Sequence, residues 1–316
     1  MDGKTANRLK IAIKVAIVVL AYAYAGYRIA TAPDIYQLPT YFSEMGLSRC
    51  LVLVAILLLM PINWTIETGK WQMLVRSTEP NIGFGRCLKA VMSGVTVGTL
   101  TPNRAGEFAG RILFVQKENR AKVSYLTIFG DTAQFCATVI FGIVGLLTIG
   151  NCISEAIHFN TLMIISAICG VAIIIIFIEF DKIVNAIGRI KFVKKKFEKY
   201  VPQCEIGIRS KVITLILSIA RYAVFCLQFY LSLRFFGIDI PMQSAFAAIF
   251  ATYICTYLIP SIAAAELGIR VSFAILFIGI FTTQETAIAL ASLLLYLVNV
   301  GIPIAIGGIF LLKEKK

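Results

Sequence analysis

The sequence predicts an all-α polytopic membrane protein with about six full membrane spans and two re-entrant helical hairpins, arranged as an inverted repeat. The mean hydropathy of the 316 residues is +0.84 and 59% of them are apolar, which excludes an ordinary soluble domain. Several windows exceed the roughly 20 apolar residues that cross the hydrocarbon core of a bilayer. Two short charged motifs with helix-breaking residues interrupt these windows, one in each half of the chain.

The six windows that are long enough for full spans are separated by short charged connections. In chain order, the predicted spans are residues 11–30, 49–72, 123–149, 161–180, 212–234 and 286–312. The first has no small-residue cleavage site, so we interpret it as a retained span rather than a signal peptide. Lys and Arg are concentrated at both ends of the chain and in residues 181–211, as the positive-inside rule requires of cytoplasmic segments. We therefore expect a multi-pass protein of the cell membrane with both termini in the cytoplasm.

Two tryptophans, Trp64 and Trp71, flank the charged residues Glu67 and Lys70 near the end of the second predicted span. Tryptophan is enriched where membrane meets water. The pattern therefore favours an interfacial anchor over a functional site.

The first hairpin is predicted at about residues 88–115. Its apolar run is about a dozen residues long, which is too short to cross the bilayer comfortably. Pro102 and Gly106 are the predicted breaks, because proline removes a backbone donor and glycine permits a tight turn. In lipid, such a broken backbone survives only where protein or a water-filled cavity surrounds it. Glu107 and Arg111 then follow at the i, i+4 spacing of one helix face.

The second hairpin is predicted at about residues 245–280, with Pro260 and Gly268 as its breaks. Glu266 and Arg270 repeat the i, i+4 charged pair of the first hairpin. The two prolines, at positions 102 and 260, are 158 positions apart, which is half of the 316-residue chain.

The same offset of 158 places Asn63 opposite Arg221. We therefore predict one integral membrane domain over 1–316, with 1–158 and 159–316 as inverted repeats.

Ionisable residues at membrane depth are costly and tend to mark a pathway or a site. The candidates for lipid head-group contact or for a translocation pathway are Arg104, Glu107, Arg111, Asp131, Arg221, Glu266 and Arg270. Arginine can bind a phosphate through two parallel hydrogen bonds, and the carboxylates can balance a cationic head group or carry a proton. If the halves pack about a pseudo-two-fold axis, these groups converge on one polar cavity. The alternative is structural, with Arg104, Glu107 and Arg111 satisfying one another at the helix break.

Several classes of site are not favoured by the sequence. The eight cysteines are scattered singly, and His158 is the only histidine, so we expect neither a metal nor a cofactor. The formal charge of +13 follows the positive-inside distribution, which argues against nucleic-acid binding. The expected partners are membrane lipids that carry phosphate, with a homo-oligomer or a cytoplasmic enzyme as further options.

The motif from Thr101 to Glu107 with Arg111, and the segment from Ile259 to Arg270, resemble the membrane half of the lysylphosphatidylglycerol synthetases and the stand-alone flippase-like proteins related to it. The resemblance covers about residues 11–312. It implies movement of a lipid, often with a charged or modified head group, between leaflets. The second motif departs from the family pattern, because residues 261–265 lack the expected glycines and the acidic residue precedes the glycine.

The resemblance also implies that aminoacyl transfer belongs to a separate soluble domain. The sequence ends at Lys316, a few residues after the last predicted span, so we do not expect aminoacyl transfer by this chain. Three functions stay open: a lipid translocase, an intramembrane lipid-modifying enzyme, and an accessory subunit that recruits a partner through its basic segment. No HExxH, DxD or nucleotide-binding loop supports the enzyme or ATP coupling.

Overall fold

The computed structural model describes residues 46–99, 101, 104, 106–153, 159–188, 205–259 and 263–313, together with residues 27, 30, 31 and 36. These residues form helices joined by turns, and no strand occurs among them. The all-α membrane fold is therefore confirmed. The predicted first span at 11–30 lies almost wholly outside the described residues.

In the first half of the chain, one long helix precedes and another follows a pair of shorter helices that a break separates. The helices are α1 (Leu47–Val75), α2 (Phe84–Gly98), α3 (Glu107–Arg111) and α4 (Arg120–Ile153). Two short 3-10 turns, Ile112–Phe114 and Lys117–Asn119, connect α3 to α4. The helices α2 and α3 end and begin on either side of residues 99–106, within the range predicted for the first hairpin.

The second half also contains a helical pair between longer helices. Its helices are α5 (Phe159–Ile178), α6 (Phe180–Gly188), α7 (Ile208–Phe235), α8 (Met242–Leu258), α9 (Ala263–Ile278), α10 (Glu285–Tyr296) and α11 (Ile302–Lys313). The arms of the second hairpin are α8 and α9. A π-helical turn at Leu297–Gly301 joins α10 to α11, so the last predicted span contains a local change of helix type that its sequence did not indicate.

Four helical stretches in the described part are long and apolar enough to cross a membrane, namely Leu47–Val75, Lys117–Gly150, Ile208–Phe235 and Glu285–Lys313. A fifth consists of α5 and α6, which are bent by 79° relative to each other. Five of the six predicted spans therefore have a helical counterpart. The bend modifies the prediction for residues after 180, where a helix continues to Gly188 before the basic segment.

The hairpin of each half packs against a helix of the other half. The hairpin helix α2 packs against α11 of the other half, and the hairpin helix α8 packs against α4. The helices α1 and α7 pack against each other between these two contacts. An inverted repeat would produce this reciprocal arrangement, although the repeat boundaries at 158 and 159 stay a prediction.

Small residues let the two arms of the first hairpin approach closely. A Cβ atom added at Gly110 of α3 would lie 2.6 Å from the carbonyl oxygen of Ser93 in α2. A Cβ atom added at Gly94 would lie 2.8 Å from the carbonyl oxygen of Glu107. Because both obstacles are backbone atoms, neither can move without displacing an arm. The small residues Gly94 and Gly98 of α2 therefore allow the close approach of the other arm of the hairpin.

This packing predicts the effect of adding one methyl group to the hairpin. Gly110→Ala should destabilise the protein by about 1–3 kcal/mol, because the methyl group meets the α2 backbone. Gly85→Ala in α2 is the matched control, since no atom lies within 4 Å of its added Cβ and alanine favours helix. Thermal unfolding in detergent would measure both. Equal stability of the two variants would contradict the close approach of the arms.

The predicted orientation can be tested at two exposed turns. Asn81 lies between α1 and α2, on the side predicted to be cytoplasmic, and Thr283 lies between α9 and α10, on the side predicted to be external. With the native cysteines replaced, Thr283→Cys should react with an impermeant maleimide in intact cells. Asn81→Cys should react only after permeabilisation. The opposite pattern would reverse the topology.

Candidate charged site between the hairpins

One buried carboxylate connects three helices. Glu67 of α1 is only 1% exposed, and its carboxylate forms ion pairs with Lys70 at 2.8 Å, with Arg111 of α3 at 3.0 Å and with Arg221 of α7 at 3.3 Å. A charge taken out of water is tolerated when it is paired, and here three cations share it. Glu67 therefore fixes the position of the first hairpin relative to α1 and α7.

Arg111 also pairs with Glu107 of its own helix at 2.9 Å, which confirms the predicted i, i+4 contact. The Arg111 side chain is 3% exposed and that of Glu107 is 14% exposed. We call Glu67, Lys70, Glu107, Arg111 and Arg221 the central cluster. Its members come from α1, α3 and α7, so the charges satisfy each other across the fold as well as within one helix.

Lys70 links the central cluster to α4. Its ammonium group lies 3.3 Å from the carbonyl oxygen of Gly130 and 3.4 Å from the hydroxyl of Ser218. The indole of the neighbouring Trp71 donates a hydrogen bond to Thr127 of α4 at 2.9 Å. The side of α1 that carries Lys70 is therefore directed into the protein.

This burial corrects the interpretation of the two tryptophans. Trp64 is 3% exposed and Trp71 is 1% exposed, and both pack in an apolar cluster with helices α2 and α11. The prediction of an interfacial anchor was wrong. Glu67 and Lys70 are the functional candidates that the sequence analysis missed. The signal was present, because they are ionisable residues inside an apolar window, the same criterion that selected the hairpin residues.

Arg221 of α7 is held by an amide and by two aromatic rings. Its Nε donates a hydrogen bond to Asn63 of α1 at 2.9 Å. Its guanidinium carbon lies 5.1 Å from the ring centroids of both Trp64 and Phe225, within the range of a cation–π interaction. The offset of 158 residues pairs Asn63 with Arg221 in the sequence, and the two side chains are in contact in the structure. Two positions that a two-fold axis relates can contact each other when both lie beside that axis.

A chain of buried amides extends from this contact. Asn63 donates a hydrogen bond to Asn299 at 3.3 Å, Asn299 donates to Gln228 at 3.1 Å, and Gln228 donates to the carbonyl oxygen of Ile56 at 3.0 Å. Asn299 lies within the π-helical turn, a feature often found at functional sites. The side chain that orients Arg221 is therefore itself oriented by two further amides.

A second group of charges joins the two hairpins. Glu266 of α9 pairs with Arg270 at 2.6 Å, the predicted i, i+4 contact, and with Arg104 of the first hairpin at 3.1 Å. We call Arg104, Glu266 and Arg270 the inter-hairpin cluster. Arg104 has a φ of 56°, in the left-handed region that is costly for a residue with a side chain. Its side chain is 24% exposed and that of Glu266 is 16% exposed, more than any member of the central cluster.

Asp131 of α4 lies beside the central cluster. It is half-buried and lies within electrostatic range of Arg111, Glu107, Glu67 and Lys70. Among the residues that the structure describes, it forms no ion pair or hydrogen bond within the distances at which the other carboxylates pair. Asp131 is therefore a carboxylate near cations that already have partners.

The structure thus brings all seven predicted charged residues to one region. Six of the seven form ion pairs with one another or with Glu67, whereas the sequence analysis expected all seven to line a polar cavity. A cavity of about 320 Å³ lies elsewhere, between the end of α1, the start of α4 and the segment before α7, with Ser77, Lys122 and Ser210 in its wall.

Of the predicted breaks, Gly106 lies in the turn before α3, where its N–H donates to the hydroxyl of Thr101 at 2.7 Å. Pro102 and Pro260 lie outside the described residues. Gly268 was predicted as a break and is instead inside α9, where its carbonyl accepts a hydrogen bond from Ser272. The second break therefore precedes Ala263, and Gly268 is one turn further into the helix.

Comparison with known families agrees with this architecture. The family model described as the lysylphosphatidylglycerol synthase TM region matches residues 11–307, which include both hairpins and both charged clusters. The chain belongs to this family. No curated protein matches it significantly. The family is that of a membrane region related to lipid modification or lipid flipping, and its match extends over nearly the whole chain.

The charge balance of the central cluster predicts the stability of its variants. Glu67→Gln leaves three cations around a neutral amide and should cost roughly 3–5 kcal/mol. Glu107→Gln combined with Arg111→Met removes one charge of each sign, and Glu67 keeps Lys70 and Arg221 as partners. This double variant should therefore unfold close to the wild-type temperature. Unfolding of Glu67→Gln at the same temperature as the double variant would contradict the central role of Glu67.

Proposed function

We propose that this protein moves a lipid with a charged, phosphate-bearing head group between the two leaflets of the cell membrane. The observation that carries the proposal is the inter-hairpin cluster, in which arginines of both hairpins share one carboxylate at the most accessible edge of a buried charged region. The family supports a role in lipid modification or flipping. The movement itself is the step that we add.

The net charge of the region favours an anionic group. The two clusters and Asp131 together contain five cationic and four carboxylate side chains, so one positive charge has no internal counterpart. A phosphate would supply the missing negative charge, and the planar arginine fork fits its oxygens. A head group that passes between the hairpins would thus be stabilised by charges while its acyl chains stay in lipid.

The central cluster supplies the fixed part of such a pathway. Its ion pairs join α1, α3 and α7, and Lys70 adds contacts to α4. Charges that are already oriented by partners need no reorganisation when a head group arrives. Broken helices that meet near the bilayer midplane form the binding sites of many transporters, which is the architecture that an inverted repeat would give here.

The main alternative is an accessory subunit that recruits a partner through its basic segment. Asp181 of α6 accepts hydrogen bonds from the hydroxyl of Tyr125 and the N–H of Ile206 and pairs with Lys211 at 2.7 Å, so it joins α6 to α4 and to the start of α7. The basic residues between α6 and α7 could bind anionic lipid or an acidic protein. The experiments on lipid exchange below therefore include a variant of this basic segment.

Leaflet exchange in liposomes tests the proposal. Purified protein should bring a fluorescent phospholipid from the inner leaflet to an impermeant quencher faster than protein-free liposomes do. The double variant Glu107→Gln with Arg111→Met should be folded and should exchange lipid at the protein-free rate, because it lacks the charged pair of the first hairpin. Normal exchange by that variant would exclude the pair from the pathway.

A variant of the basic segment serves as the control. Changing Lys194, Lys195 and Lys196 together to Gln should leave exchange unchanged and weaken binding to anionic liposomes. Chemical modification of the added lipid would instead indicate an enzyme. Liposomes in which the wild type neither exchanges nor modifies the lipid would favour the accessory subunit.

A further inference from the structure

In the inter-hairpin cluster, two arginines share a single carboxylate. Glu266 accepts hydrogen bonds from both Nε and Nη2 of Arg104, at 3.1–3.3 Å, and from Nη2 of Arg270 at 2.6 Å. One carboxylate thus serves two guanidinium groups that come from different hairpins. The single negative charge of Glu266 balances only one of the two positive charges, so the two arginines can pair with one more negative charge.

Arg270 has a donor that Glu266 does not use. The residue is 8% exposed, and among the described residues its buried Nε has no hydrogen-bond partner. The guanidinium carbon lies 5.7 Å from the ring centroid of Tyr253 and 5.9 Å from that of Tyr296, which restrict its position. A buried donor without an acceptor costs free energy. A phosphate, with more acceptor oxygens than a carboxylate, could satisfy it.

The cluster also contains the most exposed side chains of the charged region. Arg104 is 24% exposed and lies in the break of the first hairpin with a left-handed backbone. Such a conformation is energetically unfavourable and persists where the surrounding structure compensates it, often at ligand-binding positions. Here the conformation directs a long cationic side chain across to α9.

We infer that Arg104 and Arg270 form a phosphate-binding pair, and that Glu266 occupies it as an internal competitor when no ligand is bound. A phosphate that binds the two arginines displaces the Glu266 carboxylate, since both anions use the same guanidinium donors. Because Arg104 and Glu266 belong to different hairpins, this exchange removes the direct ion pair between the hairpins. The inference extends the proposed function by coupling head-group binding to separation of the hairpins.

Binding of matched lipids tests the inference without any transport step. Dioctanoyl phosphatidic acid and dioctanoyl glycerol differ only by the phosphate, and each would be titrated into detergent-solubilised protein by calorimetry. The wild type should bind the phosphatidic acid and should not bind the dioctanoyl glycerol measurably. Equal binding of the two lipids would show that the phosphate is not recognised and would overturn the inference.

Variants of Glu266 and of the two arginines test whether Glu266 competes with the phosphate or helps to bind it. Glu266→Gln should bind phosphatidic acid at least about tenfold more tightly than the wild type, because the competing carboxylate is gone. Arg104→Gln and Arg270→Gln should each bind at least about tenfold more weakly. Arg234→Gln is the matched control, since Arg234 pairs with Asp239 at an exposed position outside the network, and its affinity should equal that of the wild type.

A milder variant covers the case in which Glu266→Gln does not fold. Glu266→Asp keeps the charge, shortens the side chain by one methylene and should strengthen phosphatidic acid binding to a smaller extent. Weaker binding by either Glu266 variant, or unchanged binding by both arginine variants, would overturn the inference. Competition by inorganic phosphate would identify the phosphate group as sufficient, and its failure would identify the lipid phosphate as the ligand.

These outcomes are separable from those of the proposed function. A wild type that binds phosphatidic acid through both arginines but exchanges no lipid would leave the phosphate site and reject the transport proposal. A wild type that exchanges lipid while both arginine variants retain full affinity would support the transport proposal and overturn the phosphate site.

Discussion

The fold of this protein depends on balancing the charge of one buried carboxylate. Glu67 is 1% exposed and would be strongly unfavourable there alone, yet it pairs with Lys70, Arg111 and Arg221 from three helices. Each of these cations is in turn unfavourable without an anion. The positions of α1, α3 and α7 are therefore determined jointly by charge and by packing.

Close packing of the first hairpin makes this balance geometrically possible. A Cβ at Gly94 would lie 2.7 Å from Cγ of Arg111, so the arginine side chain crosses α2 where a side chain is missing. A larger residue at that position would block the route from α3 to Glu67. The glycines thus determine where a charge can lie, and the charge determines which helices the hairpin contacts. In this hairpin, backbone approach and electrostatics are two parts of one constraint.

The sequence predicted the helices, the first hairpin break and the two i, i+4 charged pairs, because hydropathy and residue spacing act locally. It did not predict that Arg104 would bind Glu266, since 162 residues separate them and no local pattern encodes that pairing. Glu67 was misread because flanking tryptophans suggest an interface when burial is unknown. Gly268 was predicted as a break together with Pro260 because glycine is common in turns, whereas α9 begins at Ala263 and includes Gly268. The contact between Asn63 and Arg221 had one sequence signal, the offset of half the chain.

The two clusters differ in how many helices hold them together, which indicates where the structure can change. Glu67 keeps two cations whenever one of its three is displaced, and Lys70 of α1 also contacts Ser218 of α7, so the loss of one ion pair leaves α1 and α7 connected. Arg104 and Glu266 connect the hairpins through one pairing, and Glu266 keeps Arg270 as a partner after Arg104 leaves. Losing the inter-hairpin pairing therefore leaves Glu266 compensated, and an incoming anion compensates Arg104. The inter-hairpin pairing is therefore the less connected of the two, and the phosphate exchange that we propose there would leave the ion pairs of the central cluster in place.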